Sequence, residues 1–179
     1  AKAVYDKDVN VPMDKGIFSI YFFNILKLNK GEGVFQDAGV PHAYLEGQNM
    51  ELMASSDNVL RGGLTPKHID VPELLKHVVF EETKPEILKG TLESKNIERK
   101  YKSPAPDFEL SEVTINPKNS YSGKSNSVEI YILMEGEAEV REKDASLVLQ
   151  KGANFMTVAG AEYQISASSH AVLYKATTP

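Results

Sequence analysis

Apolar and polar side chains alternate along the second half of the chain with the period of two that is typical of β-strands. One face of residues 128–135 carries Val128, Ile130, Ile132 and Met134, and the other carries Glu129, Tyr131, Leu133 and Glu135. Glu135-Gly136 predicts a turn, after which Ala138 and Val140 alternate with charged residues, so we expect a hairpin with one wet face. The pattern continues at 147–150, 155–158, 163–167 and 171–175, and many short strands at near-regular spacing favour a sandwich or barrel.

The first half also favours strands. Ile20–Leu28 is rich in aromatic and branched residues, although 17–24 also fits a buried helical turn. Further short strands are predicted to start at Val34 and at His42, and to cover 51–54 and 58–60.

One helix is predicted after residue 70. Asp70 suits the N-cap, Pro72 suits the first turn and Glu73 takes the acidic position of a capping box. The apolar stripe of this helix consists of Leu74, Leu75, Val78 and Val79.

The chain divides best at the polar, proline-bearing segment 96–106, NIERKYKSPAP. We expect a first lobe, residues 1–96, and a second lobe, residues 97–179. A faint repeat relates the two lobes. Gly33 is followed by Ala38-Gly39 and His42, and Gly152 is followed by Ala159-Gly160 and Tyr163. Each lobe thus places a ring-bearing residue three positions after the glycine of an Ala-Gly pair.

Composition narrows the class of protein. The chain has 179 residues, 41% hydrophobic, with a formal net charge of −5 and no cysteine. A globular protein is expected, without disulfides, thiolate metal ligands or a cysteine nucleophile. The charge offers no basic field for nucleic acid, no stretch approaches the length of a membrane span, and Ala1–Asn10 is too polar for a secretory signal. We therefore expect a cytoplasmic protein that binds neither nucleic acid nor membranes.

The densest group of chemically useful side chains lies in residues 33–67, where short apolar runs alternate with ionisable groups. Strands that aim several ionisable side chains into one cavity would show this mixture. The candidate site residues are His42, Tyr44, Glu51, Asp57, Arg61 and Lys67.

The Ala-Gly repeat resembles the second half of the cupin signature, and a resemblance to cupins implies a small double-stranded jelly roll. The expected fold is all-β, with two cupin-like jelly-roll lobes, the first incomplete at its N-terminus, and one short connecting helix. In cupins the histidine position is a metal ligand. The first lobe keeps His42, whereas the second lobe has Tyr163 and no upstream His-x-His pair, which implies a lobe that does not bind metal.

The run PHAYLEGQNMELMASSDNVLRGGLTPK resembles the C-terminal half of type I mannose-6-phosphate isomerases. This resemblance implies a zinc-dependent aldose–ketose isomerase that interconverts mannose 6-phosphate and fructose 6-phosphate through a cis-enediol. It makes His42 the last zinc ligand and Arg61 the catalytic arginine. Tyr44, Glu51, Asp57 and Lys67 match other pocket residues, with Tyr44 and Lys67 on the substrate side.

The family's remaining zinc ligands, a Gln-x-His pair and a glutamate, are not recognisable in this chain. We expect missing residues or a second chain to supply that N-terminal half, and this chain alone to be incomplete and inactive, because catalytic zinc needs about three protein ligands. Either Glu51 or Asp57 fits the proton shuttle. The alternative function is a non-catalytic cupin module that binds a sugar phosphate, and a weaker alternative is a purely structural β-domain.

Overall fold

The computed structural model describes residues 13–56, 58–93 and 97–179. These residues fall into two compact units. The first unit comprises residues 13–28, 36–48 and 55–85, and the second comprises 29–35, 49–54 and 86–179. The predicted lobe boundary between residues 96 and 97 stays a prediction, and the segment chosen for it contains a strand, Glu98–Tyr101.

Antiparallel strands make up most of the regular structure among the described residues, and the helices are short, which confirms the all-β, cupin-like fold class. No helix among these residues has the length and apolar character needed to cross a membrane. The strands are β1 (Gly33–Val34), β2 (Ile87–Leu88), β3 (Thr91–Glu93), β4 (Glu98–Tyr101), β5 (Glu109–Ile115), β6 (Ser120–Lys124), β7 (Glu129–Glu135), β8 (Ala138–Glu142), β9 (Ala145–Leu149), β10 (Asn154–Thr157), β11 (Glu162–Ser166) and β12 (Ala171–Thr177).

Two sheets of the second unit form a β-sandwich. The larger sheet has the strand order β10-β7-β12-β5-β4-β3, and the smaller has the order β6-β11-β8-β9. β1 and β2 form a separate two-stranded ladder. Alternate residues of the two sheets close one hydrophobic core, as expected for sheets that pack face to face. Its largest fully buried side chains are Tyr131, Ile115, Leu133, Leu149, Ile165, Leu173 and Val113.

The predicted hairpin of β7 and β8 is wrong, although both strands and the turn at Gly136 exist. β7 pairs with β10 and β12, whereas β8 pairs with β9 and β11 in the other sheet. Gly136 has a φ of 77° and passes so close to the backbone of His170 that a Cβ would lie 2.1 Å from its carbonyl oxygen. A glycine is therefore required where the chain crosses from one sheet to the other.

The alternation along β7 is confirmed, but the face that points into the core is the one that mixes polar and apolar residues. Glu129, Tyr131 and Leu133 are buried, whereas Ile130 is 53% exposed. The Tyr131 ring stacks on Phe155 with 4.6 Å between the ring centroids. Because both faces of this strand are partly apolar, only packing against the facing sheet decides which one is buried.

Several strands predicted in the first half are wrong. Residues 15–18 form a 3₁₀-helix, and Ser19–Phe22 form helix α1, so the helical alternative for 17–24 is correct in type but the helix is not buried. No strand starts at His42 or covers 51–54 or the described residues 58–60. A strand needs a neighbour to which its backbone can hydrogen-bond, and the only ladder formed by described residues before residue 89 joins β1 to β2.

The predicted helix is confirmed as α2 (Val71–His77). The side chain of Asp70 accepts a hydrogen bond from the backbone N–H of Glu73 at 3.0 Å, and Pro72 lies in the first turn. The cap residues were sufficient to predict this helix, because they bond free backbone N–H groups at the helix start without any tertiary contact.

Gly123 lies directly against a ring inside the β-sandwich, and we expect Gly123→Ala to destabilise the chain by about 1–3 kcal/mol through overpacking. A Cβ at this position would lie 2.3 Å from Cζ and the hydroxyl oxygen of Tyr163, its partner on β11. Gly62→Ala is the matched control, because its Cβ would meet no atom within 4 Å. Denaturant unfolding followed by circular dichroism measures both variants, and an equal loss in the two would contradict this packing.

Candidate active site

The structure places four of the six predicted site residues in the first unit. These are His42, Tyr44, Arg61 and Lys67, and Glu51 lies in the second unit. Asp57 lies outside the described residues. Arg61 is half-buried and the other described members are exposed.

The backbone before His42 is fixed by the end of α2. Ala38-Gly39 forms a turn in which Gly39 has a φ of 78°. The carbonyl oxygen of Gly39 accepts a hydrogen bond from the N–H of Val79 at 2.9 Å, and a Cβ on Gly39 would lie 2.5 Å from the carbonyl oxygen of His77. The glycine thus permits a close backbone approach that sets the direction of the chain entering His42.

The His42 ring is oriented by its own backbone. Nδ1 lies 3.2 Å from the carbonyl oxygen of Val40, and a carbonyl can only accept, so Nδ1–H is the donor. This hydrogen bond selects the tautomer that leaves a lone pair on Nε2, which is the arrangement common among metal-ligating histidines. Tyr44 lies edge-on to the ring with 5.9 Å between centroids.

A loop of residues 61–67, RGGLTPK, connects Arg61 to Lys67 and is held by a side chain that sequence reasoning missed. One carboxylate oxygen of Asp14 accepts from the N–H of Gly16 at 2.7 Å, and the other accepts from the N–H of Leu64 at 2.7 Å. A Cβ on Gly63 would lie 2.8 Å from the Cα of Gly16, so the two backbones are in direct contact. The only sequence signal was local, since Asp14 also suits the N-cap of the 3₁₀-helix.

The described part of the first unit does not join the candidate residues directly. No hydrogen bond or ion pair links His42, Arg61 and Lys67 to one another there. No group of three or more His, Asp or Glu among the described residues is placed to hold a metal ion. The assignment of these residues to one site therefore stays a prediction.

The two stretches of the sequence repeat share a turn geometry. Gly31 and Gly39 have φ values of 83° and 78°, and Gly152 and Gly160 have values of 87° and 86°. Both pairs are separated by eight residues, so the first glycine of the repeat is Gly31 and not Gly33. The same backbone pattern therefore leads to His42 in the first stretch and to Tyr163 in the second.

Tyr163 does not take over the chemistry of His42. Its side chain is buried in the β-sandwich, and its hydroxyl donates to a carboxylate oxygen of Glu129 at 2.5 Å. Burial is the main reason why the pKa of the Tyr163 hydroxyl is raised, and the hydrogen bond to Glu129 adds to the effect. A neutral tyrosine that is already bonded inside the core is not available as a metal ligand.

We expect Asp14→Ala to loosen the Arg61–Lys67 loop, because two N–H groups lose a charged acceptor. Amide hydrogen exchange at Gly16 and Leu64 should accelerate about tenfold or more. Asp37→Ala is the control, since the Asp37 carboxylate accepts a hydrogen bond from the N–H of the adjacent Ala38 at 2.9 Å and reaches no other recorded donor among the described residues. Unchanged exchange at Leu64 in the Asp14 variant would show that the carboxylate does not hold this loop.

Comparison with known proteins identifies relatives along most of the chain. Mannose-6-phosphate isomerase of Salmonella typhimurium is 44% identical over 143 residues, which are 79% of this chain and 36% of the relative. Mannose-6-phosphate isomerase 2 of Arabidopsis thaliana is 34% identical over 177 residues, which are 98% of this chain and 40% of the relative. The chain thus spans about two fifths of the length of these curated relatives. No family model matches it.

Solved structures agree with the sequence relatives. The crystal structure of mannose 6-phosphate isomerase in its apo form from Salmonella typhimurium superposes with a TM-score of 0.71 at 30% identity and covers 92% of this chain and 42% of that one. The relatives align with this chain through their C-terminal part. The chain therefore belongs to the mannose-6-phosphate isomerase family and corresponds to the C-terminal part of its members.

Proposed function

We propose that this chain is the C-terminal part of a zinc-dependent isomerase that interconverts mannose 6-phosphate and fructose 6-phosphate. The support is its identity with the Salmonella and Arabidopsis relatives, together with the oriented ring of His42. We propose further that the rest of the site comes from polypeptide equivalent to the part of the relatives that this chain does not span.

His42 fits one position of a zinc site, because its Nε2 lone pair is left free by the hydrogen bond to Val40. The described residues do not fit a whole site, since catalytic zinc takes about three protein ligands and no such group exists among them. The remaining ligands are therefore assigned to the complementary polypeptide, and this chain alone is expected not to hold the ion.

The exposure of the first half supports a complementary polypeptide. None of the described residues from 13 to 93 is buried. Large apolar side chains of this region face outward, among them Tyr21 at 77%, Phe22 at 81% and Ile25 at 80% exposure. Contiguous exposed apolar side chains mark an interaction surface, because their contact with water is unfavourable.

The isomerisation itself moves a proton between C2 and C1 of the open-chain sugar. A base removes the C2 proton of mannose 6-phosphate, and the negative charge passes to O1 as the cis-enediolate forms. Transfer of the O2 hydroxyl proton to O1 and return of the first proton to C1 then give fructose 6-phosphate, with a carbonyl at C2 and a hydroxyl at C1. Glu51 or Asp57 is proposed as the residue that carries the proton. The guanidinium of Arg61 is proposed to stabilise the enediolate oxygen without titrating.

Lys67 and Tyr44 are proposed to bind the substrate. The ammonium of Lys67 is exposed at the end of the RGGLTPK loop and suits a phosphate as a point charge. The ring of Tyr44 beside His42 offers an apolar wall with a polar end, which suits a sugar. Asp14 acts as a positioning residue, because it fixes the loop that joins Arg61 to Lys67.

Complementation tests this function. The chain is co-expressed with the portion of the Salmonella relative that it does not match, and fructose 6-phosphate formation from mannose 6-phosphate is measured with and without a zinc chelator. We expect chelator-sensitive turnover by the complex and none by the chain alone. Binding of mannose 6-phosphate by the chain alone, unaffected by chelator and without turnover in either sample, would favour the non-catalytic module instead.

In that complex we expect Arg61→Ala to lower kcat by about 10²–10³-fold, because a preorganised donor to the developing oxyanion is lost. Arg141→Ala is the matched control, since Arg141 is exposed on β8 and paired with Glu139 at 2.9 Å. Circular dichroism checks that both variants remain folded. Equal kcat values for the two variants would remove Arg61 from the mechanism.

A further inference from the structure

Three of the charged side chains buried in the described part of the β-sandwich form one cluster. Glu98 on β4, Glu129 on β7 and Lys175 on β12 are exposed by 3%, 7% and 4%. Nζ of Lys175 lies 2.6 Å from one carboxylate oxygen of Glu98 and 3.7 Å from one of Glu129. Buried charges are costly unless they are paired, so the two carboxylates and the ammonium must compensate one another.

Hydroxyl groups provide the hydrogen bonds to the carboxylate of Glu129. A single oxygen of its carboxylate accepts from Tyr163 at 2.5 Å, from Ser125 at 2.8 Å and from Thr157 at 3.2 Å. Three donors on one oxygen stabilise the ionised form without a cation in direct contact. The more distant ammonium is therefore a secondary partner for Glu129.

Glu98 depends on the ammonium much more strongly. Besides Lys175, its bonded partner is the hydroxyl of Tyr121, which donates to the second carboxylate oxygen at 3.1 Å. Nζ of Lys175 also donates to the Tyr121 oxygen at 3.1 Å and lies 5.6 Å from the centre of the ring. Tyr121 belongs to β6, so these bonds connect the two sheets of the sandwich.

The charges of Glu98 and Lys175 are expected to persist at neutral pH. Burial lowers the pKa of Lys175, but hydrogen bonding to Glu98 and the nearby Tyr121 outweigh burial and raise that pKa above its ordinary value. Burial likewise raises the pKa of Glu98, and the bond and charge of Lys175 reverse the effect and lower it.

We propose that Glu98, Glu129 and the hydroxyl of Tyr121 form a cation cage whose ligand is a primary ammonium group, supplied in the native chain by Lys175. The ammonium of Lys175 donates a hydrogen bond to the hydroxyl oxygen of Tyr121 at 3.1 Å and forms ion pairs with Glu98 at 2.6 Å and Glu129 at 3.7 Å. The cage recognises the ammonium end of the side chain, so a free alkylammonium ion of the same length can occupy it when the side chain is removed.

A double-mutant cycle measures how strongly the cage depends on its cation. Lys175→Met leaves a buried carboxylate without its partner. The equilibrium constant for unfolding should therefore rise by about 10²–10³-fold. Glu98→Gln combined with Lys175→Met removes both charges of this pair. The equilibrium constant for unfolding of the double variant should be at least about tenfold lower than that of Lys175→Met alone. Additive losses would overturn the proposal, because they would mean that the two side chains are not coupled.

Chemical rescue tests the recognition of the ligand. n-Propylammonium replaces the three carbons and the nitrogen that Lys175→Ala removes, and we expect it to raise the Tm of that variant in the full chain by several degrees. Tetramethylammonium at equal ionic strength, which has no N–H donor, should not. Lys124→Ala is the control variant, since Lys124 pairs with Glu162 at 2.8 Å on the exposed face of the same sandwich.

Equal effects of the two ions on Lys175→Ala, or an equal gain for Lys124→Ala, would overturn the proposal. If Lys175→Ala does not fold without additive, refolding yield is scored instead, and recovery with n-propylammonium but not with tetramethylammonium supports the cage. No recovery with either ion counts against it.

Discussion

Every buried side chain among the described residues lies between Ile97 and Lys175, inside the two sheets of the β-sandwich. This distribution is the constraint on which the rest of the structure depends. Hydrophobic burial is the main favourable term in folding, so the sandwich has its own source of stability. The described residues before Ile97 contain no buried side chain, although β1 pairs with β2 and β3 pairs with β4. They therefore contribute less hydrophobic burial to folding than the β-sandwich does.

The same twelve-residue turn pattern has two chemical outcomes. Around Gly31 and Gly39 it delivers a histidine whose ring is oriented by a backbone carbonyl and whose second nitrogen is left free. Around Gly152 and Gly160 the pattern leads to Tyr163, whose hydroxyl donates a hydrogen bond to the buried Glu129. The first stretch therefore ends in an exposed imidazole, while the second uses the equivalent position to stabilise the interior of the β-sandwich.

Polar groups inside the sandwich have a structural rather than a catalytic arrangement. Tyr131 and Tyr163 are joined by their hydroxyls, and the latter continues to Glu129. Such a network holds a unique geometry only when nearly all its members are satisfied. The ammonium from β12 supplies the positive charge of the cation cage through its ion pairs with Glu98 and Glu129.

Sequence alone determined the elements whose signals are local. Helix α2 follows from Asp70 and Pro72, the strand alternation of β7 and β8 from period-two patterning, and the turns from glycine at positive φ. The run from Pro41 to Lys67 determined the family through residue identity. Tertiary structure decided what local signals cannot contain: that β7 and β8 lie in different sheets, that β7 buries Glu129 and Tyr131, and that Asp14 reaches Leu64 fifty residues away. These features depend on which surfaces face each other. The local sequence of a strand with two partly apolar faces does not specify which face is buried, and the sequence around Asp14 does not specify that its carboxylate bonds a residue far along the chain.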